Sequence, residues 1–330
     1  MTEEILITGG CGFVGHHIVE HFLKNTDYVI HIIDKLTYAS NGFDRLRDIG
    51  AYQTNRDRVR IYASDLGSEI PDGVLKEVSG VRYLIHLAAE SHVDRAIEDP
   101  LPCVISNVVG TAHILQFARK LPKLERFVYF STDEVFGPAP EGVFYQEWDR
   151  YNSTNPYSAS KAGGEELALA WANTYGLPVI ITHTMNVFGE RQHPEKFIPM
   201  CIKKIRAGDE VTIHANADKT KSGSRHYIHA RNVASAVDHV LAYGVTRDKY
   251  NIVGEREISN LDLACFIATH LNLDLKYELV DFHSCRPGHD LRYALSGERL
   301  RGMGWEPPKT FEDSLARTID WFLENPGWLV

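Results

Sequence analysis

A run of eight residues, Thr8-Gly-Gly-Cys-Gly-Phe-Val-Gly15, sits between an apolar stretch (Glu4–Thr8) and a helix-spaced one (Val14–Lys24). It constrains the fold more than any other feature of the chain. Gly9, Gly12 and Gly15 have GxxGxxG spacing, with Phe13 and Val14 inside the same turn. Glycines so placed allow a tight turn, close approach of backbone to a pyrophosphate, and close helix–strand packing. The helix that follows offers N–H groups and a positive dipole end to phosphates. A junction of this kind belongs at the carboxyl edge of a parallel sheet, so the rest of the chain has to supply further βα units.

It does so. Short β-branched runs at Tyr28–Asp34, Val59–Ala63, Tyr83–Ala88, Phe127–Ser131 and Val179–Thr184 alternate with amphipathic stretches at Val104–Lys120 and Tyr157–Tyr175. Strands apolar on both faces and separated by helices predict a doubly wound parallel (Rossmann-type) α/β sheet. After about Gly189 the texture changes. Helical patterns at Lys196–Ala207, Ala230–Tyr243 and Leu261–Leu271 mix with short extended pieces, and Asn216–Gly223 reads as an exposed loop. The expectation is a dinucleotide-binding domain over 1–190 and a smaller mixed α/β substrate lobe over 191–330, with segments free to exchange between them.

Asp34 closes the second strand. An acid there accepts a hydrogen bond from a ribose hydroxyl and repels a 2′-phosphate, which favours NAD over NADP; the neighbouring Lys35 pulls the other way. Asp65, after the third strand, is either an adenine contact or a cap. Tyr157-Ser-Ala-Ser-Lys161 places a phenol and an ammonium on one face of a helix, where the cation lowers the phenol's pKa and readies it to take a proton from a hydroxyl. Hydride transfer to a nicotinamide needs such a base.

Taken together, the glycine turn and the YxxxK motif after a strand ending Ser131-Thr132 resemble the extended short-chain dehydrogenases/reductases. Ser131-Thr-Asp-Glu-Val-Phe-Gly137 is similar to the signature of the nucleotide-sugar 4,6-dehydratases acting on dTDP- or UDP-glucose. So are Asp34-Lys-Leu-Thr-Tyr38, His86-Leu-Ala-Ala-Glu-Ser-His-Val-Asp94, Pro194-Glu-Lys-Phe-Ile-Pro199 and Arg286-Pro-Gly-His-Asp-Leu-Arg-Tyr293. The resemblance spans nearly the whole chain. It implies oxidation of the hexose at C4, loss of water across C5 and C6, and hydride return to C6. Two adjacent carboxyl groups suit the elimination, because mutual repulsion helps keep one of them protonated.

By resemblance, Glu134 is the C5 base, Asp133 the C6 acid and Thr132 a hydrogen-bond partner of the C4 oxygen. Tyr157 is the C4 base, and Lys161 holds the nicotinamide ribose. Adjacent strand residues point to opposite faces, so Asp133 and Glu134 share a site only where the strand has ended, which Gly137 and Pro138 favour. The same resemblance places Leu66, Leu87, Ala88 and Ala89 beside the cofactor, with Asn107 near the Tyr–Lys pair. It places Ser91, Asn186, Lys196, Arg225, Asn260, Arg286 and Tyr293 toward the sugar nucleotide. Three departures leave the nucleobase and C2 substituent open: Asn186-Val187 where relatives have two Asn, Arg225-His226-Tyr227 where many have Arg-Asp-Trp, and a longer Asn216–Gly223 loop. A 4-epimerase would use Tyr157 and Lys161 without the acid pair, and a non-catalytic NAD sensor would need neither.

Composition excludes other classes. A net charge of −9 argues against a nucleic-acid surface. Five scattered cysteines without a CxxC pair, and sixteen histidines without ligand spacing, suggest reduced thiols and no metal site. The start of the sequence has no signal-peptide pattern, and no apolar run is expected to approach the roughly 18 residues a membrane helix needs. The expectation is a cytoplasmic, membrane-independent enzyme. The resemblance adds a homodimer, for which the apolar positions of Val104–Lys120 and Glu165–Trp171 either form the shared face or simply cover the sheet.

Overall fold

The structure, a computed structural model, describes residues 2–51, 53–281 and 291–330. Six strands follow the alternation: β1 (Glu4–Thr8), β2 (Val29–Asp34), β3 (Val59–Ala63), β4 (Tyr83–His86), β5 (Arg126–Thr132) and β6 (Val179–Thr184). Later come β7 (Val187–Phe188), β8 (Val211–Ala215), β9 (Ser224–His226), β10 (Ile228–His229), β11 (Lys249–Ile252), β12 (Glu257–Ser259) and β13 (Tyr277–Asp281). The central sheet has seven strands in the order β11-β6-β5-β4-β1-β2-β3, all parallel. Its strand order reverses between β1 and β4, the place where doubly wound sheets open a crevice at their carboxyl ends.

Helices cover both faces because the strands are apolar on both. Phe13–Asn25 and Ala230–Tyr243 bury Ile18, Phe22, Val233 and Val237 on one side. Gly110–Ala118 and Pro156–Tyr175 bury Ile114, Leu115, Ala168 and Ala172 on the other. A separate core of Ile198, Ile202, Leu263, Ile267, Leu315 and Phe322 organises the smaller lobe, with three two-stranded sheets pairing β7 with β10, β8 with β13 and β9 with β12.

Three features depart from the sequence-based expectations. The alternation does not announce β11, whose Lys-Tyr-Asn-Ile mixes polar and apolar residues; it comes from beyond residue 190 and completes the sheet against β6. The stretch expected as one helix over Val104–Lys120 is broken by a π turn at Ile105–Val109, between Leu101–Val104 and Gly110–Ala118. That composite, Leu101–Ala118, has 18 residues and a mean hydropathy of 1.4, so an apolar run of membrane-spanning length does exist. It is 44% buried, and its Asn107 and Thr111 are engaged in hydrogen bonds inside the fold.

Candidate active site

The strands deliver their last residues to one cavity of about 1000 Å³ that reaches from the glycine turn into the smaller lobe. This is at the top of the range of about 300–1000 Å³ usual for ligand pockets. Gly9, Gly12, Phe13, Val14 and Gly15 line it where β1 meets the first helix. Gly9 has φ +74°, a left-handed conformation, and a Cβ there would lie 2.8 Å from the Ala88 nitrogen. A Cβ on Gly15 would fall inside the Gly9 carbonyl oxygen. Gly12 caps the helix without a side-chain hydrogen bond, so the first-turn N–H groups face the cavity as an anion cradle. These residues fit NAD. Gly15→Ala is expected to push the turn open and strip the purified protein of bound NAD; retention of NAD at the wild-type ratio would refute that account of the turn.

Asp34 is buried at the end of β2, accepting the Cys11 N–H at 2.9 Å and the Leu36 N–H at 2.8 Å. Its carboxyl is raised by burial and held down by those bonds, so it ties the glycine turn to the ribose side of the cavity. Lys35, the residue that could have welcomed a 2′-phosphate, pairs instead with Asp65 at 2.9 Å, and Asp65 also accepts the Gly67 N–H. Leu66, Leu87, Ala88 and Ala89 line the same wall. Asn107 does not line the cavity. Fully buried in the π turn, it clamps the Glu90 backbone through both amide atoms at 2.9 Å and donates to Ser160 on the Tyr157 helix. π turns cluster at functional sites because they re-aim one side chain without ending the helix.

The acid pair lies where the strand has ended. β5 stops at Thr132, and Asp133–Phe136 form a 3₁₀ turn whose Glu134 N–H is capped by the Thr132 hydroxyl. The turn exits through Gly137 at φ +74°. Thr132 also donates to Asp133 Oδ1 at 3.0 Å, and Asp133 Oδ2 is buried with no hydrogen-bond partner. Burial first, then the charge of Glu134, raises Asp133 to about 7, against the pull of Arg225. Glu134 Oε2 accepts from Asn155 Nδ2 at 3.1 Å.

Tyr157 and Lys161 come from the long helix Pro156–Tyr175, opened by an Asn155–Ser158 capping box worth about 1 kcal/mol. Both side chains are buried and line the cavity with the acids. Their relation differs from the simple expectation. Lys161 Nζ donates to the Phe130 carbonyl at 2.6 Å and lies 4.5 Å from the Tyr129 ring centre, and burial lowers it to about 7. The Tyr157 phenol is raised, by burial and then by Glu134, with the Thr132 hydroxyl as a compensating hydrogen bond. The ammonium is thus spent on a backbone carbonyl rather than on the phenol.

Of the residues expected toward a sugar nucleotide, Ser91, Asn186, Lys196, Arg225 and Asn260 all line the cavity. Arg225 is held by the Ser224 and Leu291 carbonyls and stacks 4.6 Å from the Tyr293 ring. Tyr293 is a buried platform behind that arginine, outside the lining, and Arg286 lies outside the described residues. Two contributors escape motif reading. Asn155 is signalled only as a helix start before Pro156. Glu90 acts through its backbone, which leaves no mark in side-chain chemistry. Among the described residues no three of His, Cys, Asp or Glu gather to hold a metal ion.

A doubly wound sheet with a glycine turn, an acidic second-strand end and a buried Tyr–Lys pair defines a nicotinamide-dependent short-chain oxidoreductase scaffold. This chain belongs to the NAD-dependent epimerase/dehydratase family, whose model matches residues 5–253. A dTDP-glucose 4,6-dehydratase of Escherichia coli is 36% identical over 352 residues, covering 98% of this chain and 95% of the relative. The solved dTDP-glucose 4,6-dehydratase of Streptomyces venezuelae with NAD and TYD bound is 34% identical, covers 98% of each chain and superposes with a TM-score of 0.86. A Thermus thermophilus UDP-glucose 4-epimerase in complex with NAD is 26% identical, with a TM-score of 0.83 over 97% of this chain and 99% of its own.

Proposed function

We propose that this protein is an NAD-dependent nucleotide-sugar 4,6-dehydratase, converting an NDP-hexose of the dTDP- or UDP-glucose type to the 4-keto-6-deoxy sugar. The observation that carries the reading is the Asp133–Glu134 turn, held in the same cavity as Tyr157 and Lys161. An epimerase needs only the latter pair. The named relatives above support the same activity.

NAD, which the glycine turn, Asp34 and Lys161 would hold, would supply the hydride acceptor for C4 and the hydride donor for C6. In its phenolate form Tyr157 accepts the C4 hydroxyl proton, and the neighbouring Thr132 hydroxyl turns to donate to the C4 oxygen as it becomes a ketone. The ketone acidifies the C5 hydrogen, which Glu134 removes while Asn155 holds its far oxygen. Asp133 gives its proton to the C6 hydroxyl, which leaves as water. Glu134 then returns its proton to C5, Tyr157 releases the C4 proton to solvent and Asp133 takes one up, so protons and electrons balance over the cycle. Lys161, which also lines the cavity, would hold the nicotinamide ribose. Ser91, Asn186, Lys196, Arg225 and Asn260 face the sugar nucleotide, where cations and amide donors suit two phosphates.

An acid raised to about 7 carries its proton below that pH and loses it above. The elimination rate is therefore expected to fall as pH rises through about 7, and this alkaline limb should vanish in Asp133→Asn. A limb that persists unchanged in that variant would belong to Lys161, and the acid role of Asp133 would fail. The activity itself is tested by mass spectrometry after incubation with dTDP-glucose, UDP-glucose and UDP-N-acetylglucosamine. One donor should lose one water; if none does, even with NAD supplied, the reading is wrong. The reading carries a cytoplasmic homodimer with it. The exposed Leu101, Val104, Ile105 and Val109 beside the Tyr157 helix suit the shared face, and Cys11, Cys103, Cys201 and Cys265 are unbridged.

A further inference from the structure

Beneath the cavity lies a charged cluster sealed from solvent that none of these steps uses. The side chains of Glu165 and His183 have no exposure, and that of Lys249 has 4%. Glu165 pairs with Lys249 at 2.8 Å, accepts the Tyr151 hydroxyl, and faces His183 Nε2 with both oxygens at 3.2 Å. Lys249 also donates to the Tyr151 hydroxyl, and His183 Nδ1 meets Asn251 Oδ1 at 2.9 Å. Apolar residues of the same volume would cover the sheet with equal or greater stability, because taking charges out of water is costly. What a hydrogen-bonded charge cluster adds is direction: its partners are held at fixed angles as well as fixed distances.

The position of the cluster shows what is being directed. Glu165 lies about one helical turn beyond Lys161 and two beyond Tyr157 on the same helix. Its partners sit on β6 and β11, so the helix is fixed along and around its axis. Tyr151 begins a short brace to the acid turn: the Asn152 N–H donates to the Val135 carbonyl at 3.0 Å, and Asn155 holds Glu134 while capping the helix. Phe136, the last residue of the acid turn, packs edge-on against Tyr151 at 5.1 Å and His183 at 4.8 Å. The buried carboxylate thereby holds Tyr151 and His183, the two residues against which Phe136 of the acid turn packs.

We propose that Glu165, with Lys249, His183 and Tyr151, is a positioning centre that keeps the Tyr157 helix and the Asp133–Glu134 turn in register. The inference rests on the dehydratase reading, in which C4 oxidation and C5–C6 elimination act on one immobile sugar. A displacement of about 1 Å between reacting groups can cost on the order of a hundredfold in rate.

The test compares Glu165→Gln and Tyr151→Phe with the wild-type holoenzyme, normalised to bound NAD. It measures kcat, KM for the sugar nucleotide, Tm, and the steady-state fraction of reduced nicotinamide by absorbance. Glu165→Gln is expected to lower kcat roughly tenfold to a hundredfold with KM within about twofold. The reduced fraction should leave its wild-type value, falling where the Tyr157 side is displaced and rising where the acid turn is, because oxidation and elimination fall out of step. Tyr151→Phe keeps the ring against Phe136 and should shift the same quantities in the same direction, by less; it decides the matter if Glu165→Gln does not fold. Lower Tm with wild-type kcat and reduced fraction per NAD-loaded site would overturn the proposal and leave the cluster a stabilising one. If the wild type epimerises at C4 instead of losing water, the dehydratase reading fails separately. The same variants are then scored on the epimer rate, where an unchanged kcat again overturns the positioning role.

Discussion

Tyr157→Phe is expected to lower kcat by about 10³- to 10⁴-fold, the upper range for removing a positioned acid–base group and equivalent to about 4–5.5 kcal/mol of barrier. The ring stays packed with Val93, Ala96 and Cys103, so the fold and the NAD content should survive. What disappears is the oxygen that receives the C4 proton beside the Thr132 hydroxyl. Because oxidation comes first, the block lies before any electrons move. The variant should show no build-up of reduced nicotinamide and no exchange of the C5 hydrogen with solvent. A kcat within tenfold of wild type would mean that another group takes the C4 proton, and the assignment of Tyr157 would be lost.

Glu134→Gln should cost a comparable factor, about 10³-fold in kcat, by a block at a different step. The amide can still accept from Asn155 Nδ2, so the turn keeps its shape while losing its basicity. Oxidation at C4 proceeds and elimination does not, so reduced nicotinamide accumulates where Tyr157→Phe shows none. Deuterium from solvent should not enter C5. Removing the neighbouring negative charge also takes away the second cause of Asp133's raised pKa, leaving burial as the first. Any residual alkaline limb should therefore move to lower pH. Deuterium entering C5 at the wild-type rate in this variant would show that Glu134 is not the base.

The contrast between these two variants reflects how differently their residues could be read. The Tyr157–Lys161 spacing, the glycines and the Asp133-Glu134 pair are local strings, and local strings survive in one dimension. β1, β3 and β6 were legible to the residue for a similar reason: apolar runs bounded by turn residues carry their own ends. β11 was not, because Lys249 and Asn251 are polar for the sake of Glu165 and His183, partners far away in sequence. The π turn at Ile105–Val109 was also hidden. A helical pattern cannot announce one extra residue per turn when the reason for it is the Glu90 backbone.

The sequence by itself determined the class of sheet, the placing of the nucleotide turn and the side chains proposed to react, since each depends on residue type at short spacing. Only the tertiary structure decided their charge states and their neighbours. It buried Asp133 beside Glu134, and the burial and that charge together raise its pKa to about 7. It set Lys161 on the Phe130 carbonyl and Lys35 on Asp65, and it brought Glu165 under the helix that carries Tyr157. Protonation and orientation depend on burial and on charges brought together from distant parts of the chain, and those distances exist only once the chain has folded.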